Sequence, residues 1–278
     1  MEDPTPGHRL FLIGSEASAA MSPALWNPVF SGLGSSWTYE AWDVPAGQDM
    51  AGVRAALLET DVVAANVTMP HKQWAARTAD TVTGQVRLSG AANLLVRRDR
   101  TLSAHNTDIT AVAGLLGNRR QRHALMLGAG GAARAALIAL KGLTGKVTVT
   151  DRDPQASRQL LYLADSLDMD ASSVTWAEAQ AQAPRASVIV NATPIGKGSD
   201  DEPAWGQAKL SPDAFVYDFV YAGHVTATIA SAKAQGVECA DGWDHLRAQA
   251  AAMVPILGLA PETGTLLGQA LTAIQAKI

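Results

Sequence analysis

The run "RHALMLGAGGAARAALIALKG" sets Gly128, Gly130 and Gly131 between an apolar stretch of strand length and a helical one. Few folds accept such a junction. Gly128 allows the tight turn, Gly130 lets the backbone approach a pyrophosphate, and Ala133 takes the third small position, where helix packs on strand. The amides of the turn Gly128, Ala129, Gly130, Gly131 and Ala132 then offer positive potential to phosphates. The next apolar run, "KVTVTDRDP", ends in Asp151, about 20 residues on, where an acidic group meets the adenosine ribose hydroxyls. Asp151 could equally be a turn or helix-capping residue ahead of Pro154, and the two roles are compatible. Together these signals predict dinucleotide binding.

The rest of the chain repeats the strand–helix rhythm. "HRLFLIG", "TDVVAANVT", "RASVIVNAT" and "DAFVYDFV" read as strands, with helical patterns such as "AGVRAALLET" and "PQASRQLLYLADSL" among them. An α/β chain with parallel sheet covered on both faces follows. The composition shifts near residues 104–123, which end in a basic, glycine-bearing turn. The expected division is a domain over residues 1–107, completed by C-terminal helices 242–278, and a dinucleotide-binding domain over 108–241.

Bulk properties narrow the function. The 278 residues are 47% hydrophobic and 17% charged, a composition for packed domains rather than disorder. A net charge of −4 supplies no basic field for nucleic acid. Cys239 is the one cysteine, so no internal disulfide can form and a reducing compartment is expected. The start, "MEDPTPGH", reverses the pattern of a signal peptide, and the longest apolar run carries Arg134 and glycines, so no membrane span is expected. These features predict a soluble cytoplasmic protein; its expected partner is a small molecule, with monomer and homodimer both left open.

Polar clusters punctuate the apolar runs: Ser22 in "AMSPALWN", Asn66, Thr68 and Lys72 in "NVTMPHK", Asn93 in "SGAANLLV", and Asn106, Thr107 and Asp108 in "AHNTD". Asn191, Thr193 and Pro194 in "NATPIGKG", Tyr221 in "DFVYAG" and Gln249 in "DGWDHLRAQA" continue the series. Amides, hydroxyls, one lysine and one aspartate suit a small polyhydroxylated ligand. No cluster has metal-ligand spacing. The bland alternatives are a solvated surface lysine, Asp108 as a helix N-cap, and a simple turn at Asn191–Pro194. The histidines are poor catalytic candidates, His71 and His105 reading as packing or surface. The seven tryptophans, Trp26 excepted, read as core or cleft wall.

These motifs, in order along nearly the whole chain, resemble the shikimate/quinate dehydrogenase family. The resemblance implies an N-terminal α/β substrate-binding domain, a Rossmann domain for NAD or NADP, and a site in the cleft between them. It implies reversible hydride transfer between the nicotinamide and a ring carbon bearing a hydroxyl, in the setting of aromatic amino acid biosynthesis. Lys72 matches the family's catalytic lysine and Asp108 its paired aspartate. Alcohol oxidation needs a base for the hydroxyl proton, and ketone reduction needs the same group as an acid. Which of the two moves the proton stays open. Asn66, Asn93 and Gln249 are matched to ring hydroxyls, and Ser22, Thr68 and Tyr221 to the carboxylate. Asn191, Thr193, Pro194 and Gly242 are matched to the cofactor's surroundings.

The sequence departs from the family pattern at several positions. Ala20 replaces the first of two serines, Trp26 a histidine, and Leu94 a threonine. Where NADP-linked members carry Asn-Arg-Thr, this chain has Asp151-Arg152-Asp153. Two carboxylates repel a 2′-phosphate and suit a free ribose diol, so NAD is favoured over NADP, with Arg152 stacked on adenine. Lys197, where the family commonly has methionine, adds a positive charge. The expected substrate is shikimate (as 3-dehydroshikimate in reverse) or a close analogue such as quinate. The alternatives are a methylenetetrahydrofolate-type dehydrogenase and a non-catalytic dinucleotide-binding regulatory protein.

Overall fold

A computed structural model describes residues 8–119 and 122–277. The acidic, proline-bearing start and two residues of the basic turn, 120 and 121, lie outside the described residues. The chain forms two compact units, residues 1–107 with 250–277, and residues 108–249.

The first unit runs β1 (Arg9–Gly14), α1 (Ser22–Gly32), β2 (Thr38–Asp43), α2 (Met50–Ala56), β3 (Val62–Val67), α3 (Lys72–Thr78), β4 (Thr81–Val82), α4 (Gly84–Ser89), β5 (Leu94–Arg98) and β6 (Thr101–His105). Its sheet has the order β2-β1-β3-β5-β6-β4. β1 lies parallel to β2 and β3, as the strand–helix rhythm predicts. The sheet is mixed, however, because β5 runs antiparallel to both β3 and β6. β5 and β6 form a hairpin turning at Asp99 and Arg100, with Asp99 at φ 54. Asp tolerates this left-handed conformation, but "DR" lacks the glycine that makes a hairpin conspicuous in sequence. Phe11, Ile13, Val53, Val67, Leu95 and Leu102 belong to the core on this sheet.

The second unit takes up at Asp108, the second residue of α5 (Thr107–Leu116), and runs on through β7 (Ala124–Leu127), α6 (Gly131–Leu140), β8 (Val147–Thr150), α7 (Pro154–Ser166), β9 (Ala171–Ser173), α8 (Trp176–Gln182), β10 (Val188–Asn191), β11 (Phe215–Asp218), α9 (Ala227–Ala234), β12 (Glu238–Ala240) and α10 (Gly242–Ile256). Its six strands are all parallel, in the order β12-β11-β10-β7-β8-β9. β7, β8, β10 and β11 are buried at every position, which explains their unbroken apolar runs. The order reverses between β7 and β10, the topological switch point at which open α/β sheets bind dinucleotides.

α10 is divided at residue 249, and α11 (Glu262–Gln275) joins the first unit, where it packs on α1. Among the described residues, no helix is long and apolar enough to cross a membrane.

Candidate active site

In the first unit the polar residues gather at one edge of the sheet. β3 and β6 end there and antiparallel β5 begins there, so Asn66, Asn93 and Thr107 meet. Asn66 is 3% exposed, accepts from Tyr39 Oη at 2.6 Å and donates to the Asn93 carbonyl at 3.1 Å. Asn93 accepts from the Thr107 amide at 2.8 Å and donates to Thr107 Oγ1 at 2.9 Å. Asn66 thus has one N–H and one lone pair left to offer. Lys72 opens α3 on the same edge. Its carbonyl accepts from the Ala92 amide at 2.9 Å, which ties the start of the helix to the turn before Asn93.

The neighbouring residues explain how the edge is held. His71 is 6% exposed and its Nε2 lies 2.7 Å from the Val44 carbonyl, a packing role as expected. The Met69–Pro70 peptide is cis. The Thr68 amide donates to the Ile13 carbonyl at 2.8 Å and fixes the chain beside the end of β1. Trp26 is 1% exposed, between Phe30 and a stacked Tyr39 whose hydroxyl reaches Asn66. It therefore backs the site through Tyr39. Leu94 is fully buried in β5. Ser22 is the first residue of α1, and no side chain caps that helix. Ser18, near Ala20, is engaged with Asp43 at 2.6 Å.

In the second unit the glycine turn lies at the switch point. Gly128 has φ +101, and a Cβ there would come 2.8 Å from the carbonyl carbon and oxygen of Ala192. Only glycine fits. Gly130 is the N-cap of α6, with no side chain occupying the cap. Asp151 Oδ2 accepts from the Ala129 amide at 2.7 Å and Oδ1 from the Asp153 amide at 2.8 Å. The capping role considered for Asp151 falls to Asp153, which accepts from Gln155 at the start of α7.

Asn191 and Thr193 shape the second loop of the switch point. Asn191 is fully buried and donates to the Ile195 carbonyl and to Asp218 Oδ1, each at 2.9 Å. Its carbonyl oxygen accepts from both the amide and the hydroxyl of Thr193. Both donors and both lone pairs are consumed, so the side chain organises the loop. Pro194 and Lys197 are exposed on that loop. Asp218, which the sequence reading passed over, anchors it further, accepting from Thr226 Oγ1 at 2.8 Å and the Val220 amide at 3.0 Å.

Burial pushes the Asp218 carboxyl up to about 6 from 3.8, although the Val220, Thr226 and Asn191 bonds oppose the rise. The folded chain then binds more protons than the unfolded one from about pH 4 to pH 6. The stability this group contributes is fully present below the unfolded value and is lost as pH rises through about 6. It amounts to at most about 3 kcal/mol. Asp218→Asn keeps the acceptor at Oδ1 and presents a donor to Thr226. The melting temperature of wild type should therefore fall, relative to the variant, as pH rises through that window. Parallel melting profiles would remove Asp218 as the source.

Tyr221 packs against Trp243 with ring centroids 5.3 Å apart, and Gln249 is partly exposed on α10. Gly242 begins α10 against the Val220 carbonyl. Asp108, 4% exposed, lies in the first turn of α5, past the cap position considered for it. His245 Nε2 is 3.3 Å from Asp108 Oδ1, a contact that no sequence motif pointed to. Among the described residues, no group of His, Cys, Asp and Glu could hold a metal ion.

The sequence model of the shikimate dehydrogenase substrate binding domain matches residues 12–95. The shikimate dehydrogenase (NADP(+)) of Citrifermentans bemidjiense is 35% identical over 268 residues, 91% of each chain. The chain belongs to the shikimate dehydrogenase family. Among solved structures, this family member is similar to Mycobacterium tuberculosis shikimate dehydrogenase, at 31% identity and a TM-score of 0.77 over 96% of this chain and 99% of that one. It is also similar to a quinate dehydrogenase from Corynebacterium glutamicum in complex with NAD, at 25% identity and a TM-score of 0.85 over the same shares. Like the family, this member is an oxidoreductase.

Proposed function

We propose that the protein catalyses reversible hydride transfer between NAD(P) and a ring hydroxyl of shikimate or a close analogue such as quinate. The observation that carries this reading is the 35% identity to a shikimate dehydrogenase across 91% of the chain. Lys72 and Asp108 handle the proton of the reacting hydroxyl, while Asn66, Asn93 and Gln249 bind the ring hydroxyls. Ser22, Thr68 and Tyr221 take the carboxylate. The uncapped first turn of α1 supports this, because its amides can replace the hydroxyl missing at Ala20. The domains act as substrate-binding and dinucleotide-binding units, and the protein works in the cytoplasm as a monomer or homodimer.

The switch-point turn fits a pyrophosphate by the amides of Gly130, Gly131 and Ala132 at the start of α6, where no side chain caps the helix; the Gly128 and Ala129 amides are spent on the Thr150 carbonyl and Asp151. When bound, the dinucleotide supplies the hydride acceptor or donor. NAD is the favoured form, although the curated relatives carry NADP(+) in their names. Asp151 and Asp153, both anchored at the head of α7, put two carboxylates where a 2′-phosphate would need cations. Arg152 stacks on adenine. Asn191 and Thr193 hold the loop, and Pro194 with Gly242 completes the surroundings of the nicotinamide.

A spectrophotometric panel of shikimate, quinate, aminoshikimate and a folate substrate, each with NAD and NADP, tests the reading. Turnover of a ring acid with a kcat/KM about tenfold higher for NAD is expected, since one unfavourable charge contact is worth about that factor. A tenfold preference for NADP would overturn the role of Asp151. Turnover of the folate alone, or none with dinucleotide still bound, would overturn the function.

A further inference from the structure

Behind Asp108 stand two side chains, His245 and Tyr217, hydrogen-bonded in series, that the family reading does not use. Tyr217 Oη lies 2.7 Å from His245 Nδ1, and His245 Nε2 lies 3.3 Å from Asp108 Oδ1. The three are 0%, 8% and 4% exposed. They come from β11, α10 and α5, all in the second unit. The imidazole is also wedged beside Phe219, with ring centroids 4.8 Å apart, while Tyr217 packs on the same ring at 4.9 Å. A surface histidine would have none of these constraints.

The chemistry of the chain admits one arrangement of protons when the imidazole is neutral. An ionised carboxylate only accepts, so Nε2 must carry the hydrogen that faces Asp108. Nδ1 is then a lone pair, and the Tyr217 hydroxyl donates to it. Burial, followed by the charges of Asp108 and Asp244, pushes the Tyr217 phenol far up, which keeps that donor protonated. Every dipole then points toward Asp108.

We propose that His245 is a positioning residue for Asp108, with its tautomer set by Tyr217. The inference rests on the assignment of Asp108 to the reacting proton. A carboxylate on the first turn of a helix can rotate about its side-chain torsions. An N–H held on Oδ1 fixes that rotation and sets the direction in which the other oxygen can accept from a substrate hydroxyl. Tyr217 in turn prevents the imidazole from presenting a lone pair to the carboxylate, which would repel it. His245 and Tyr217 need touch neither substrate nor dinucleotide for this.

A double-mutant cycle on kcat tests the proposal with the full-length enzyme, using His245→Leu, Asp108→Asn and the pair. His245→Leu should lower kcat about tenfold, the size of one hydrogen bond to a charged group, with KM changed less than about twofold. In the Asp108→Asn background the same change should cost less than about twofold, since there is no longer a carboxylate to position. His245→Gln, which can still donate to Asp108, should recover most of the loss. An equal cost in both backgrounds overturns the positioning role while leaving Asp108 in its place. A normal kcat for Asp108→Asn overturns the assignment of Asp108, and this inference falls with it. If His245→Leu does not fold, or Asp108→Asn leaves no measurable turnover, nitrogen-15 spectra of the wild-type imidazole decide. Hydrogen on Nε2 with a bare Nδ1 supports the chain, and the opposite tautomer overturns it.

Discussion

Lys72→Ala is expected to lower kcat on the ring acid by at least about a hundredfold, the low end for loss of an acid–base group. The expected damage is chemical rather than structural. Lys72 holds its place through its backbone, whose carbonyl accepts from Ala92, and alanine is a good helix former at the first position of α3. The melting temperature should therefore stay close to that of wild type. Dinucleotide affinity should also persist, because the glycine turn and Asp151 belong to the other unit. Stopped-flow or steady-state kinetics with a parallel binding titration separates these effects. Near-normal turnover would move the chemistry to another group, whereas loss of folding together with activity would make Lys72 a structural residue.

Gly242→Ala is expected to have the largest effect on stability. A Cβ at this position would meet the Val220 carbonyl carbon and oxygen at 2.5 Å and the Tyr221 amide nitrogen at 2.6 Å. All three are backbone atoms, so relief requires α10 to move away from the chain that follows β11. Overpacking of this kind costs about 3 kcal/mol or more. A fall in melting temperature of roughly 6–12 °C follows for a chain of this size. Gly268→Ala in α11 is the control, since nothing lies within 4 Å of its added methyl. There the variant should gain up to about 1 kcal/mol by helix propensity. Equal melting temperatures for the two variants would show that the start of α10 can yield. The match of Gly242 to the cofactor's surroundings thus has a packing cause beside it, and a loss of NAD(P) binding in this variant need not come from a lost contact.

The candidate site was legible where its motifs lie in consecutive residues. "GAGGAARA" announced both the turn and the helix because the left-handed backbone at Gly128 and the close approach of Ala192 admit no side chain. Asn66 stood out as a polar residue near the end of an apolar strand, and Lys72 because it follows that strand. The antiparallel hairpin of β5 and β6 was not legible. Asp99 turns it without glycine, and "AANLLVRRDRTLSAH" has no break that a reader of local pattern would notice. Asn191 was read as a cofactor neighbour on motif alone. The structure adds that its four hydrogen-bonding positions face inward, a fact no spacing encodes.

The sequence by itself determined the class of fold and the glycine turn at its switch point. Both follow from hydrophobic period, glycine placement and residue type, which act over a few neighbouring positions. Tertiary structure alone decided which groups stand behind Asp108. Asp108 and His245 are 137 residues apart, and Tyr217 is 28 residues from His245. Their contact exists because the second sheet carries β11 and α10 to the start of α5. Residues that meet only through such long closures leave no local pattern, and the energy of their hydrogen bonds depends on a burial that the folded chain creates.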